Sequence, residues 1–209
     1  IPIVAGARNN KVIPRGIKKI LPLLEHQDSN ISRAAAELTG IWDVKGAGES
    51  LERLVRNSEN IEERFTAARA LGRLKDFDRL ANLAKSDQSQ KTRIAATAIW
   101  AEKQSDKARE SVIEILTKAS TIQEIEPLFL SFINRKSGDK QLQEALQNTS
   151  IKENIAIEGI RLIRSSGREF PELVSAMNKA GNLKLVPLDL SQKDRKKLPS
   201  EVAISGNPG

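Results

Sequence analysis

Three stretches of this chain repeat one arrangement of small residues: SRAAAELTGIWD at 32–43, RFTAARALGRLKD at 64–76 and TRIAATAIWAEK at 92–103. In each, an adjacent alanine pair follows an arginine, and apolar residues return three and four positions later. Neighbours at that spacing share one face of a helix, and alanines there let a second helix approach closely. A catalytic loop would not be reused in this way, whereas a packing unit would. The pairs at 35–36, 67–68 and 95–96 are separated by steps of 32 and 28 residues. A weaker copy, NIAIEGIRLI at 154–163, puts Ala156 and Ile160 in the places of Ala95 and Ile99, a further 61 residues on. That gap leaves room for one divergent copy. A period near 30 with helical patterning inside it predicts an all-α chain built as a superhelical stack of helical hairpins.

Composition agrees. Hydrophobic residues make up 39% of the 209, but aromatics only 3%, and there is no tyrosine. A core of Ala, Leu and Ile suits close-packed helices better than a β-sandwich. About five hairpins can be drawn, with helices at 12–27 and 31–46, 49–57 and 61–76, 77–86 and 91–104, 107–120 and 122–136, and 140–148 and 151–166. A last helix of the first kind covers 170–181. The connectors DSN, SEN, SDQ and NTS offer short polar side chains as N-caps, and Glu62 and Glu63 suit the positive end of their helix. Ala67 and Ala68 permit a close crossing that Leu71 and Leu74 fill. Gly72 relieves crowding there, although glycine inside a helix costs roughly 1 kcal/mol against alanine. Pro127 fits a first turn only if its helix starts near Glu124, and Phe129 and Phe132 replace the missing alanine pair as core.

The arginine followed by Ala-Ala and the trailing Leu-Gly of RFTAARALGRL, echoed in RAAAELTG and RIAATAIW, resemble the HEAT-repeat family. The resemblance covers residues 12–183 and implies an α-solenoid of the armadillo-like kind. It also implies a non-catalytic scaffold whose second helices line a concave surface for a protein partner or a neighbouring domain.

Several residues could carry more than packing. Arg33, Arg64 and Arg93 each follow an acid (Asp28, Glu59, Asp87) by five or six positions. They could form a row of cations awaiting phosphate or carboxylate. The alternative resembles the Asp–Arg ladder of HEAT arrays, in which the acid caps a helix and the arginine bridges to the next repeat. Trp42 and Trp100 could anchor a partner or close the groove between repeats. These five are the candidate partner-binding residues. His26, the only histidine, stands at a helix end where a cation suits the dipole. With no cysteine and no second histidine, no zinc or copper site is expected, nor the His–Glu pairs of HEAT-type di-iron hydroxylases. No catalytic residue and no cofactor is expected either, since neither a Gly-rich phosphate loop nor a Ser-His-Asp set is present.

The net charge is +7, yet residues 34–167 carry 21 basic against 20 acidic side chains. A nucleic-acid groove should be basic along its length, so a basic concave face gripping nucleic acid is the weaker alternative. QKDRKK at 192–197 reads as a solvated helical face. No apolar run approaches the roughly 18 residues needed to span a membrane.

Residues 1–11 read as an extended lead-in and 184–209 as a capping tail or linker. Ile1–Val4 and Leu185–Leu190 are candidate caps for the apolar ends of the array. The chain opens at Ile1 without a signal-peptide pattern and reads as a fragment. LDLSQKDRKKLPSEVAISGNPG, with SSGREFPELVSAMNKAG before it, resembles the junction between a HEAT array and the c-type haem module of exported, planctomycete-type multidomain proteins. That resemblance implies an exported, bacterial origin. It places any redox role in a neighbouring module, because no CxxCH lies within these residues.

Overall fold

The computed structural model describes residues 14–183 together with Val4, Gly6 and Ala7, and among the described residues it is all-α with no β-strand. A 3-10 helix, Ile17–Glu25, is followed by α1 (Ser29–Ile41), α2 (Gly48–Asn57), α3 (Ile61–Arg73), α4 (Phe77–Ser86) and α5 (Gln90–Lys103). Then come α6 (Ser105–Lys118), α7 (Ile122–Ile133), α8 (Gly138–Leu146), α9 (Glu153–Ser165) and α10 (Pro171–Ala180). Packing follows an alternating order. Each odd-numbered helix packs on the next odd one, from α1 on α3 through to α7 on α9. The 3-10 helix packs on α1, α2 on α3, and α4 on α5, while α6, α8 and α10 form a second line.

The alanine pairs explain why the odd helices come so close. Ala35, Ala36, Ala67, Ala68, Ala95 and Ala96 are all buried. At the α1–α3 crossing a Cβ on Gly40 would lie 2.9 Å from the Ala70 Cα, and at the α3–α5 crossing one on Gly72 would lie 2.9 Å from Ile99 Cγ2. Both glycines are therefore sites of close approach, as the sequence suggested for Gly72. Further along, Phe129 and Phe132 of α7 are fully buried. A side chain at Gly159 of α9 would meet Met177 at 2.5 Å and Phe129 at 3.1 Å. The Phe129 ring on one helix is thus matched by a glycine on the next.

Caps set most of the boundaries. Asp28 accepts from the Asn30 N–H at 2.8 Å, and Asn60 accepts from the Glu62 and Glu63 N–H groups at 2.9 and 3.2 Å. Ser89, just after the SDQ connector, accepts from Thr92 N–H at 3.4 Å. NTS does not cap: α9 begins after Lys152 with no side-chain bond, and Thr149 instead donates to the Ala145 carbonyl at 2.8 Å.

Three expectations are corrected. The first helix is not an α-helix over 12–27 but a 3-10 helix containing Pro22. In an α-helix that ring would meet the carbonyl of Lys18, four residues back. Within 1–11, Val4, Gly6 and Ala7 are helical rather than extended, and the i,i+3 pair Val4 and Ala7 is buried in the core. The third is Pro127. Helix α7 begins at Ile122, so Pro127 lies inside it and has no N–H to give to the Gln123 carbonyl. The tail readings, including the cap at Leu185–Leu190, QKDRKK and the junction motif LDLSQKDRKKLPSEVAISGNPG, lie outside the described residues.

Candidate functional site

The arginines nominated by the sequence serve three different arrangements. Arg33 on α1 pairs with Glu62 on α3. Arg93 on α5 pairs with Glu114 on α6 at 3.0 Å. Arg64 turns inward and is only 3% exposed. One of its terminal nitrogens donates to the Val55 carbonyl at 2.7 Å, the Arg56 carbonyl at 3.1 Å and Thr92 Oγ1 at 2.7 Å; the other donates to the Ser58 carbonyl. Those carbonyls form the C-terminal end of α2, where a cation is favoured. Burial pushes the Arg64 pKa down, against the pull of Glu59 and Asp87. Beside it, the buried Glu63 carboxylate accepts from the Ser32 and Ser58 hydroxyls, tying α1, the end of α2 and α3 together. Each arginine therefore bridges neighbouring helices. Asp28 caps as the ladder reading requires, but Asn60, not Glu59, caps α3.

The tryptophans also face the fold. Trp100 is buried, lies beneath the Lys85 ammonium of α4 at 5.3 Å from its ring centre, and donates to Gln104 at 3.2 Å. Trp42 is half-buried, and its indole N–H has no hydrogen-bond partner among the described residues. His26 is exposed and accepts from the Asp28 N–H at 3.0 Å. Among the described residues, no group of three His, Asp or Glu side chains is placed to hold a metal ion. No described helix is long and apolar enough to cross a membrane.

Among the described residues, a recess lies elsewhere. A groove runs over α5 between α3 and α7, with adjoining lobes of about 390 Å³ and about 650 Å³. Both lobes share Ile61 and Phe65 of α3 and Pro127 of α7. Ile61 is 51% exposed, the most exposed large hydrophobic side chain among the described residues. Helix α5 makes the floor because its face from Thr92 to Ala101 is buried apart from Arg93, so its small side chains sit below the walls. Ile94 belongs to the first lobe, and Ile99 with Leu130 to the second.

Around this apolar strip stand Glu59, Lys91 and Glu124 in one lobe and Glu62, Arg69, Glu102 and Glu126 in the other. Lys91 lies 3.7 Å from Glu59, and Arg69 lies 5.8 Å from the Phe65 ring centre. Arg135, at the far end, stacks on Phe132 at 4.3 Å and donates to the Ala98 carbonyl at 3.3 Å; burial pushes its pKa down. Glu124 accepts from the Ser120 N–H at 3.0 Å and from Gln90 at 3.5 Å, and the Ser120 bond chiefly lowers its pKa.

Of the five nominated residues, only Arg64 touches this groove, and both its terminal nitrogens already donate within the fold. Two sequence signals pointed to the groove without being read that way: an isoleucine directly after an N-cap, at Asn60–Ile61, and a proline among helix formers at 127. No family model, no curated protein and no solved structure matches the chain.

Proposed function

We propose that the chain is a HEAT-like α-solenoid scaffold, non-catalytic, whose α3–α5–α7 groove docks a protein segment. That segment belongs to a partner or to a neighbouring module. The supporting observation is the exposed Ile61, shared by both lobes of the recess. Solvated single apolar residues are common, but one joined to Phe65, Pro127 and Leu130 in a groove rimmed by charge has the anatomy of a recognition surface.

Glu124, on the rim of the groove, is held below its ordinary pKa, chiefly by the Ser120 N–H. A general acid or base near neutral pH needs the opposite displacement. The nucleic-acid alternative gains little from the groove, since its exposed cations, Lys91 and Arg69, already face Glu59 and the Phe65 ring. A place within an exported haem protein rests on the junction resemblance in the tail.

The test is selection from a display library of random short peptides on the wild-type chain, with Ile61→Asp as the comparison. Enriched peptides that bind wild type and lose binding to Ile61→Asp support the reading. Enrichment indifferent to Ile61→Asp, or none at all, overturns it.

A further inference from the structure

Charge is distributed unevenly around the groove, and this bears on what it would hold. Most of the rim is self-neutralised: Glu62 pairs with Arg33, Glu59 with Lys91, and Glu102 with Lys103. Arg69 and Arg135 have no ion pair among the described residues but lie over the Phe65 and Phe132 rings. Two carboxylates are likewise outside these pairs: Glu124 and Glu126, both just before Pro127 in α7, the first in the smaller lobe and the second in the larger. Neither is in an ion pair among the described residues, although the charge of Lys152 acts on Glu124 and the chain as a whole carries +7. Pro127 supplies an apolar ring shared by both lobes and leaves the Gln123 carbonyl without its helical donor. The α7 wall thus presents one carboxylate in each lobe and an apolar ring shared by both. A ligand covering this wall must bring apolar surface to the ring and hydrogen-bond donors, preferably cationic, to both lobes.

Resting on the docking reading above, we propose that the groove is specific for a basic–apolar–basic peptide segment. Its apolar side chain would lie on Ile61, Phe65 and Pro127, and its Lys or Arg residues would pair with Glu124 and Glu126. The apolar strip supplies most of the affinity. An acidic or phosphorylated segment would place like charge against both carboxylates and be rejected.

The experiment uses three fluorescein-labelled peptides that share a central Leu-Leu pair in a Gly/Ser chain. The flanks are Lys and Arg in the first, Ser in the second and Glu in the third. Binding to the full chain is read by anisotropy, and thermal unfolding confirms that each variant is folded. The basic peptide should bind tightest and weaken as NaCl rises from about 50 to about 500 mM. Glu124→Gln with Glu126→Gln keeps the shape and the Ser120 acceptor while removing both charges. It should weaken the basic peptide by roughly two- to thirty-fold, the range for two partly exposed ion pairs, and leave the Ser-flanked peptide unchanged. Ile61→Asp should weaken the basic and Ser-flanked peptides alike. If the Ser- or Glu-flanked peptide binds as tightly as the basic one and still depends on Ile61, the docking groove stands and its charge specificity is wrong. If no peptide shows Ile61-dependent binding, both are wrong.

Discussion

Gly72 tests whether the close crossings hold this chain together. Gly72→Ala places a methyl carbon 2.9 Å from Ile99 Cγ2. Carbon atoms settle at about 3.5–4.0 Å, so the pair would overlap by roughly 0.6–1.1 Å. Ile99 is buried at the α3–α5 interface, with the larger lobe of the groove on one side and packed core on the others, so the crowding can relax only in part. Overpacking of this kind costs about 1–3 kcal/mol, against about 1 kcal/mol gained by removing a glycine from a helix interior. The expected net effect is a destabilisation of about 1 kcal/mol. Ile99→Leu moves the branch from Cβ to Cγ and so deletes the obstructing methyl at nearly constant volume, at under about 1.5 kcal/mol. In that background Gly72→Ala should stabilise by up to about 1 kcal/mol. The cycle therefore carries a coupling of about 1–2 kcal/mol, above the roughly 0.3–0.5 kcal/mol scatter of independent sites. Urea unfolding followed by far-UV circular dichroism on all four proteins, at matched m values, measures it. If Gly72→Ala changes stability equally in both backgrounds, or stabilises the wild type outright, steric crowding is not why glycine stands there.

Gly40→Ala should be worse than Gly72→Ala, by about 1–3 kcal/mol in urea unfolding, because the obstacle at 2.9 Å is the Ala70 Cα, which no side-chain change removes. Ala70→Gly should accordingly fail to rescue it. The Thr97 hydroxyl is buried with no hydrogen-bond partner among the described residues, so Thr97→Val should raise stability by about 1 kcal/mol, read as a higher thermal midpoint. Glu52 lies between Arg56 and Arg79; burial pushes its pKa up, but their hydrogen bonds and charges outweigh it and hold the carboxyl below its usual 4.5. A depressed folded-state pKa gives stability that is complete above the unfolded value and lost as pH falls through the folded one. Glu52→Gln should therefore be less stable by about 1 kcal/mol at pH 7 and indistinguishable from wild type near about pH 2. Persistence of the difference in acid would refute the ion-pair account.

The repeating alanines, the helix spans and the close approach at Gly72 were legible in the sequence because they are consequences of local periodicity and side-chain size. A helix keeps i, i+3 and i+4 on one face whatever surrounds it, and an alanine pair buries closely wherever it meets another helix. Caps were legible where Asp28 or Asn60 stood one residue before a helix start, but not at NTS, where no side chain reaches the first turn of α9. The all-α class and the balanced charge of the middle also needed nothing beyond the chain itself.

The site was not legible, and the reason is geometric. Arg64, Trp42 and Trp100 stood out by residue type, yet direction decides whether such a side chain faces a partner. Arg64 turns toward carbonyls at the end of α2, and Trp100 toward Lys85, only because α2 and α4 pack where they do. The groove joins Ile61, Ile99 and Glu126, dozens of residues apart along the chain. Its depth depends on α5 being recessed between two neighbours, and its apolar centre on Pro127 falling inside α7 rather than at its start. Sequence period determines which face of each helix is buried. Only the tertiary stacking of three helices determines which exposed residues share a surface, because that depends on the offset between helices rather than on any one of them.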